Sequence, residues 1–221
     1  MKNKRLEKVL SFIEPNDSLA DVGCDHGYLA LEAIKKGVKK VLLIDNKVGP
    51  LNSAKENLKY IKSDIKVEYS LSSGISNINK ETTTVAICGM GGELIVQILE
   101  ADFEKAKKVN KFILQANSKI DYLRKYLFDN QFEIFNEAIV EDNNKTYEII
   151  VTRFVGKKIE YDATDVLFGP CLKNEQSITF KNKWHRKLEY NKKIISSTKN
   201  EDIEKEIILI EEVLYENIKN S

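Results

Sequence analysis

Leu19-Ala20-Asp21-Val22-Gly23-Cys24-Asp25-His26-Gly27 decides the fold of this 221-residue chain: a short apolar run breaks into an acidic turn bracketed by glycines. Gly27 to Lys36 then follows helical spacing, with Gly37 placed to terminate it. Val41-Leu42-Leu43-Ile44-Asp45 comes next, a continuous apolar run ending in an acid, which is the pattern of a strand buried on both faces of a parallel sheet. Strand, glycine turn, helix and buried strand open a doubly wound α/β fold.

The rhythm extends in both directions. Leu6, Val9, Leu10 and Ile13 make an amphipathic first helix, stopped by Pro15-Asn16-Asp17. Pro50 suits the first turn of a helix running to about Tyr60. Strands are predicted at 65–71, 84–88 and 111–115, and helices at 94–99 and 118–130. Phe132 to Val140 and Lys145 to Phe154 are then joined by Glu141-Asp142-Asn143-Asn144, a hairpin signal. The sum is a doubly wound sheet with one antiparallel edge strand.

A boundary falls between Gly156 and Pro170, giving a sheet domain over 1–156, a linker over 157–174 and a tail over 175–221. Trp184, Leu188 and Ile195, then Ile203, Ile207, Ile210, Leu214 and Ile218, form a narrow apolar seam of coiled-coil type. Ser196-Ser197-Thr198-Lys199-Asn200 interrupts it, and Thr198 with Glu201 resembles a capping box. The tail reads as an antiparallel helical hairpin, and its seam can close within one chain or between two, giving a monomer or a weak dimer.

Composition narrows the function. Hydrophobic residues at 42% and charged residues at 31% suit a folded globule, and a net charge of +1 means that any nucleic-acid affinity must come from a local patch. No apolar run approaches the roughly 20 residues that span a bilayer. Cys24, Cys88 and Cys171 are scattered and there are two histidines, so neither a disulfide framework nor a metal site is expected, and reduced thiols fit a cytoplasmic protein.

Ligands of such sheets bind outside the carboxyl ends of the strands. Those ends carry Gly23-Cys24-Asp25-His26-Gly27, Asp45-Asn46, Ser72-Ser73-Gly74, Cys88-Gly89-Met90-Gly91-Gly92 and Gln115-Ala116-Asn117. The first turn lacks the glycine spacing of a pyrophosphate loop and places Asp21 and Asp25 where a diphosphate would be repelled. This disfavours a nicotinamide-dependent dehydrogenase. Two carboxylates suit a cationic ligand, and Asp45 lies where an acid binds both ribose hydroxyls. A nucleoside with a cationic group describes S-adenosylmethionine. Asp25 could equally cap the next helix, and Cys24 and Cys88 read as packing residues. Met90, among three glycines, can press on the adenine or thioether.

Asp21-Val22-Gly23-Cys24-Asp25-His26-Gly27-Tyr28-Leu29 with Ala86-Ile87-Cys88-Gly89-Met90-Gly91-Gly92 resembles the bacterial tRNA adenine-22 N1-methyltransferases. Leu114-Gln115-Ala116-Asn117 is similar to that family's L-Q-P-N, with alanine for proline, and the tail matches its coiled-coil-like extension. Where the family tends to carry Gly-Asp-Gly after the third strand, this chain has Ser72-Ser73-Gly74. The resemblance implies a Rossmann-like methyltransferase sheet with a terminal antiparallel strand and a small C-terminal helical hairpin. It implies S-adenosylmethionine as cofactor, held by Asp21, Gly23, Asp25, His26, Gly27, Asp45, Asn46, Ser73, Gly74, Gly89, Met90 and Gly91. The partner implied is tRNA, with no membrane and no metal.

Attack by adenine N1 makes the base cationic, and Asp25 and Asn117 are the candidates to stabilise that charge. N1 lies on the pairing edge, so the base must be unpaired or extruded, and Tyr28 is placed to hold it. Lys181, Lys183, Arg186, Lys187, Lys192 and Lys193, around Trp184, make the first tail helix the candidate face for tRNA phosphates. Two alternatives stand beside this: a methyltransferase of a protein or small molecule, and a non-catalytic RNA-binding or dimerising module with a decayed cofactor site.

Overall fold

The computed structural model describes residues 3–62 and 64–215. Its frame is a seven-stranded sheet of β1 (Ser18–Val22), β2 (Lys40–Asp45), β3 (Lys66–Leu71), β4 (Thr84–Met90), β5 (Lys111–Ala116), β6 (Phe132–Asp142) and β7 (Lys145–Phe154). The strand order is β3-β2-β1-β4-β5-β7-β6. β1 to β5 run parallel. The chain winds outward from β1 to β3 and returns beside β1 as β4, so the switch point for ligand binding lies at the carboxyl ends of β1 and β4.

The last strand is antiparallel, as expected, but it is not the edge. β7 pairs with β5 on one side and β6 on the other. The turn explains the pairing: Asn143 (φ 50°) and Asn144 (φ 61°) take the left-handed conformation of a two-residue hairpin loop, with Asp142 opposite Lys145. Burial explains the order. Glu148 to Thr152 are all buried, which suits an interior slot, whereas β6 exposes Phe135 and Asn136 and suits an edge.

Alternate strand residues feed two apolar layers. Leu19, Val41 and Leu43 pack with α1 (Lys4–Ser11), α2 (Tyr28–Lys36) and α3 (Val48–Leu58) on one face. Ala20, Val22, Leu42 and Ile44 pack with α4 (Gly92–Ala101), α5 (Phe103–Ala106) and α6 (Ile120–Asp129) on the other. Gly37 closes α2 at φ 116°. Gly27 sits at φ 70°, and a Cβ there would lie 2.9 Å from both Leu43 Cδ2 and Leu58 Cδ1. Gly27→Ala is therefore expected to destabilise the fold by roughly 1–3 kcal/mol through strain and overpacking, read as a lower denaturant midpoint.

The stretch expected as a linker, 157–174, carries α7 (Ala163–Phe168) and most of α8 (Pro170–Glu175). α9 (Ile178–Ile195) and α10 (Glu201–Tyr215) follow as the expected antiparallel hairpin. Phe168, Leu172, Phe180, Trp184, Leu188, Ile207, Ile210 and Leu214 close into one core, while Ile218 of the expected seam lies outside the described residues. The cap of α10 is Asn200, whose side chain accepts from the backbone of Asp202 and Ile203 at 3.1 Å, rather than the Thr198–Glu201 box.

Buried charge joins tail and sheet. The Arg124 guanidinium on α6 is fully buried, with Nε 2.9 Å from Glu137 Oε1 of β6 and Nη2 2.6 Å from Glu148 Oε2 of β7. Lys183 of α9 pairs with Glu148, and Cys171 N of α8 donates to Glu137 at 3.0 Å. Burial pushes Glu137 up, whereas Arg124 and Lys183 together hold Glu148 below the usual carboxylate range against its burial.

Candidate methyl-donor site

Two hollows open at the carboxyl edge of the sheet. The first, of about 430 Å³, is lined by Asp21, Gly23, Cys24, Asp25, His26, Tyr28, Cys88, Gly89 and Met90, and α1 contributes Asn3, Arg5, Leu6 and Val9. The second, of about 460 Å³, is lined by Asp45, Asn46, Ser72, Ser73 and Gly74, together with Lys47, Pro50, Leu94 and Ile98. Gly23, Asp25 and Met90 border both. Each volume lies in the range of small-molecule sites.

The β1–α2 turn builds the shared wall. Gly23 and Cys24 donate their backbone N–H groups to Ile44 O at 2.8 and 3.1 Å, which ties the turn to β2. Gly23 has φ 72°, and the Met90 side chain lies across it where a Cβ would collide. Asp25 takes φ 50°, and its carboxylate is 73% exposed, with Oδ1 3.6 Å from His26 Nε2. It does not cap α2, whose N-cap is Gly27 with no side-chain bond. Gly27 and Gly91 line neither hollow; Gly27 acts through close packing of β2 and α3 beneath the turn.

Asp21 is the electrostatic centre. Its carboxylate is buried and Oδ2 has no hydrogen-bond partner. Burial, with Asp45 and then Asp25 adding repulsion, pushes its pKa up to about 7. Such a group gains a great deal from a cation. Burial also pushes the Cys24 and Cys88 thiols up to about 12, so both stay protonated and act as packing groups. In the second hollow Asp45 Oδ1 accepts from Lys47 N at 2.9 Å, which fixes this carboxylate at the strand end.

Asn117 does not join Asp25. It lines a third hollow, and its amide is engaged on both sides: Gln115 Nε2 donates to its Oδ1 at 3.0 Å, and its Nδ2 donates to Gly89 O at 2.7 Å. Gln115 Oε1 accepts from Gly89 N at 3.1 Å and from Arg5 Nη1 at 2.9 Å. Asn117 thus braces the Gly89-Met90 turn and lines a hollow that Asp25 does not. The sequence reading placed Gln115 at a strand end without a role and missed Arg5. A glutamine inside an otherwise apolar strand was the available signal; for Arg5 there was none, because α1 reaches the site through its packing on β6 and α2.

Tyr28 is 55% exposed at the mouth of the first hollow, its ring centroid 5.7 Å from that of His26. It is a surface ring, free of the core. The basic helix is less open than its sequence suggests. Trp184 is buried in the tail core and Lys183 is committed to Glu148, so neither is available to a ligand. Arg186, Lys187 and Lys192 pair with Glu141, Glu206 and Glu211 at 3.0, 3.3 and 2.6 Å. Lys181 and Lys193 are exposed. The missed element here is a set of glutamates, brought in from β6 and α10 by the fold.

Residues 19–220 match the family tRNA (adenine(22)-N(1))-methyltransferase. The Bacillus subtilis (strain 168) tRNA (adenine(22)-N(1))-methyltransferase is 30% identical over 198 residues, 87% of this chain and 83% of that protein. Among solved structures, Streptococcus pneumoniae Sp1610 in complex with S-adenosyl-L-methionine superposes with a TM-score of 0.88 at 35% identity, covering 97% of this chain and 100% of the other. The crystal structure of the B. subtilis m1A22 tRNA methyltransferase TrmK gives 0.79 at 27% identity, over 97% of this chain and 99% of that one.

Proposed function

This chain belongs to the tRNA (adenine(22)-N(1))-methyltransferase family, and we propose how its residues share the S-adenosylmethionine-dependent methylation of adenine N1 at position 22 of tRNA. One observation carries the assignment: a buried Asp21 carboxylate, its Oδ2 unpartnered, lines the first hollow next to the wall that Asp25 shares with the second. That donor set fits a cationic nucleoside. Asp21 and Asp25 would hold its ammonium and sulfonium end, Asp45 the ribose hydroxyls, and Ser72, Ser73 and Gly74 with Leu94 and Ile98 the adenine. When bound, S-adenosylmethionine supplies an electrophilic methyl group. Loss of the family's acid at 73 leaves hydroxyl and backbone contacts in its place.

For the acceptor, Tyr28 stacks the extruded base and Asp25 faces the positive charge that develops on the ring. Adenine N1 has an available lone pair, so the protein must mainly align the reactants. Lys181, Arg186, Lys187, Lys192 and Lys193 remain the tRNA-facing set on α9. The exposed ion pairs among them are worth only about 0–1 kcal/mol each, so phosphates can displace the glutamates. The tail seam is satisfied within one chain, which supports a monomer. We place the enzyme in the cytoplasm with its substrate. The family match extends through the tail, which disfavours a protein or small-molecule methylase and a decayed module.

Asp21 makes cofactor binding pH-dependent. Its folded-state pKa is raised, so in the free protein its contribution to stability is present below about pH 4 and is lost as pH rises through about 7. A cationic ligand needs the ionised form. S-adenosylhomocysteine, measured by calorimetry, is therefore expected to lose affinity by up to about tenfold per pH unit below 7, with a flattened profile in Asp21→Asn. A profile unchanged by that substitution would remove Asp21 from the ammonium site. The activity itself is tested by mapping modified nucleosides after incubating protein, labelled donor and bulk tRNA. N1-methyladenosine at position 22 is the expected product, and its absence would overturn the assignment.

A further inference from the structure

Beside the donor site lies a hollow of about 620 Å³, lined by Asn3, Arg5, Ala116, Asn117, Asp142, Asn143, Lys145, Thr146 and Tyr147. It shares Asn3 and Arg5 with the first hollow, so the two adjoin at Arg5. Three features set it apart. Its lining is mainly polar, where the donor hollows are mixed. Its floor is the end of β5, and its far wall is the turn of the β6–β7 hairpin. That hairpin overhangs the carboxyl edge because β7 leaves its register with β5 at Ile150, short of its own start at Lys145. Finally, the charge differs: Asp21 and Asp25 line the donor side, while the new space has Arg5 and Lys145 against Asp142.

Arg5 is held for contact rather than for pairing. Its guanidinium stands 5.5 Å from the Tyr147 ring centroid and donates from Nη1 to Gln115. Among the described residues no carboxylate lies within ion-pair distance of it. A half-buried arginine braced by a ring and an amide, with unused donors beside a polar hollow, is the usual apparatus for a phosphate. Asp142 is the single carboxylate in the lining, and it stands opposite Lys145 in the turn.

We propose that this hollow is the subsite for the RNA backbone next to the target adenosine, with Arg5 and Lys145 binding the adjoining phosphodiester and Asn3 and Tyr147 lining the ribose. The proposal rests on the assignment as a tRNA methyltransferase and deepens it. It makes Arg5 the hinge of the substrate: phosphate on one side, base and methyl donor on the other.

The test uses the full chain, bulk tRNA and two small probes, adenosine and adenosine 5′-monophosphate. Arg5→Ala is expected to raise KM for tRNA roughly tenfold or more, as for loss of a charge-assisted hydrogen bond. It should also lower the slope of log affinity against log salt by about one. S-adenosylhomocysteine binding should not change in Lys145→Ala, because Lys145 lines the new hollow and neither donor hollow. The wild type should bind the monophosphate more tightly than adenosine, Arg5→Ala should erase that gap, and Arg5→Lys should restore part of it. Lys145→Ala, an exposed site that does not burden the fold, should lower the salt slope likewise and decides the matter if Arg5→Ala fails to fold. Equal binding of the two probes by the wild type, an unchanged salt slope, or a fall in S-adenosylhomocysteine affinity in Lys145→Ala would overturn the subsite. Absence of N1-methyladenosine with the wild type would instead sink the underlying assignment, and the probe comparison would still report on the hollow.

Discussion

Asp25→Asn is expected to reduce turnover on tRNA by roughly 10²–10³, the usual cost of removing one preorganised group that faces developing charge. The substitution is chosen for its backbone. Asp25 holds φ 50°, a conformation that asparagine tolerates and alanine does not. Asparagine therefore removes the charge while leaving the turn in place, and Asp25→Ala would mix the two effects. The measurement is single-turnover methylation beside calorimetry with S-adenosylhomocysteine. A rate loss with affinity kept within a few-fold places Asp25 against the base. Equal losses in rate and affinity would confine it to cofactor binding, and unchanged turnover would remove it from the mechanism.

The second large effect is on stability. Arg124→Leu leaves Glu137 and Glu148 buried around an apolar side chain, with Lys183 the one cation among the described residues still touching Glu148. Removing one member of a buried ionic cluster costs about 3–5 kcal/mol, because the abandoned charges keep their desolvation penalty. For a chain of this size that lowers Tm by roughly 6–20 °C. Arg124→Leu combined with Glu137→Gln and Glu148→Gln should recover much of the loss. If the single variant melts within 2 °C of the wild type, the cluster is not a structural joint. The cluster spans α6, β6, β7 and α9, so its loss should also loosen the tail, visible as faster amide exchange in α9 before global unfolding.

The lining of the two hollows was largely legible from residues. Asp21, Gly23, Asp25, Asp45, Ser73 and Met90 each follow directly from a strand whose period and length are strong signals, and the parallel fold brings all strand ends to one edge. Gly27, expected at the ligand, lines neither hollow; glycine gives the same letter for ligand approach and for tight packing, and only the positions of Leu43 and Leu58 separate them. Asn117, expected beside Asp25, lines a separate hollow; its location at a strand end says nothing of which groups its amide meets. Trp184 and Lys183 looked like an RNA-facing pair. The helix alone cannot reveal that Phe168 and Glu148, from elements 16 and 35 positions away, occupy that face.

By itself the sequence determined everything governed by local periodicity: the strand–helix alternation, the acid-and-glycine turns, the hairpin at Asn143-Asn144 and the apolar seam of the tail. Those are short-range consequences of backbone sterics and hydrophobic spacing. Tertiary structure decided which long-range neighbours met. It slotted β7 between β5 and β6, carried Arg5 from the first helix to Gln115, and set glutamates against the basic helix. The physical reason is that ion pairs and side-chain hydrogen bonds form between groups far apart in the chain, where neither partner's own neighbours carry any trace of the other.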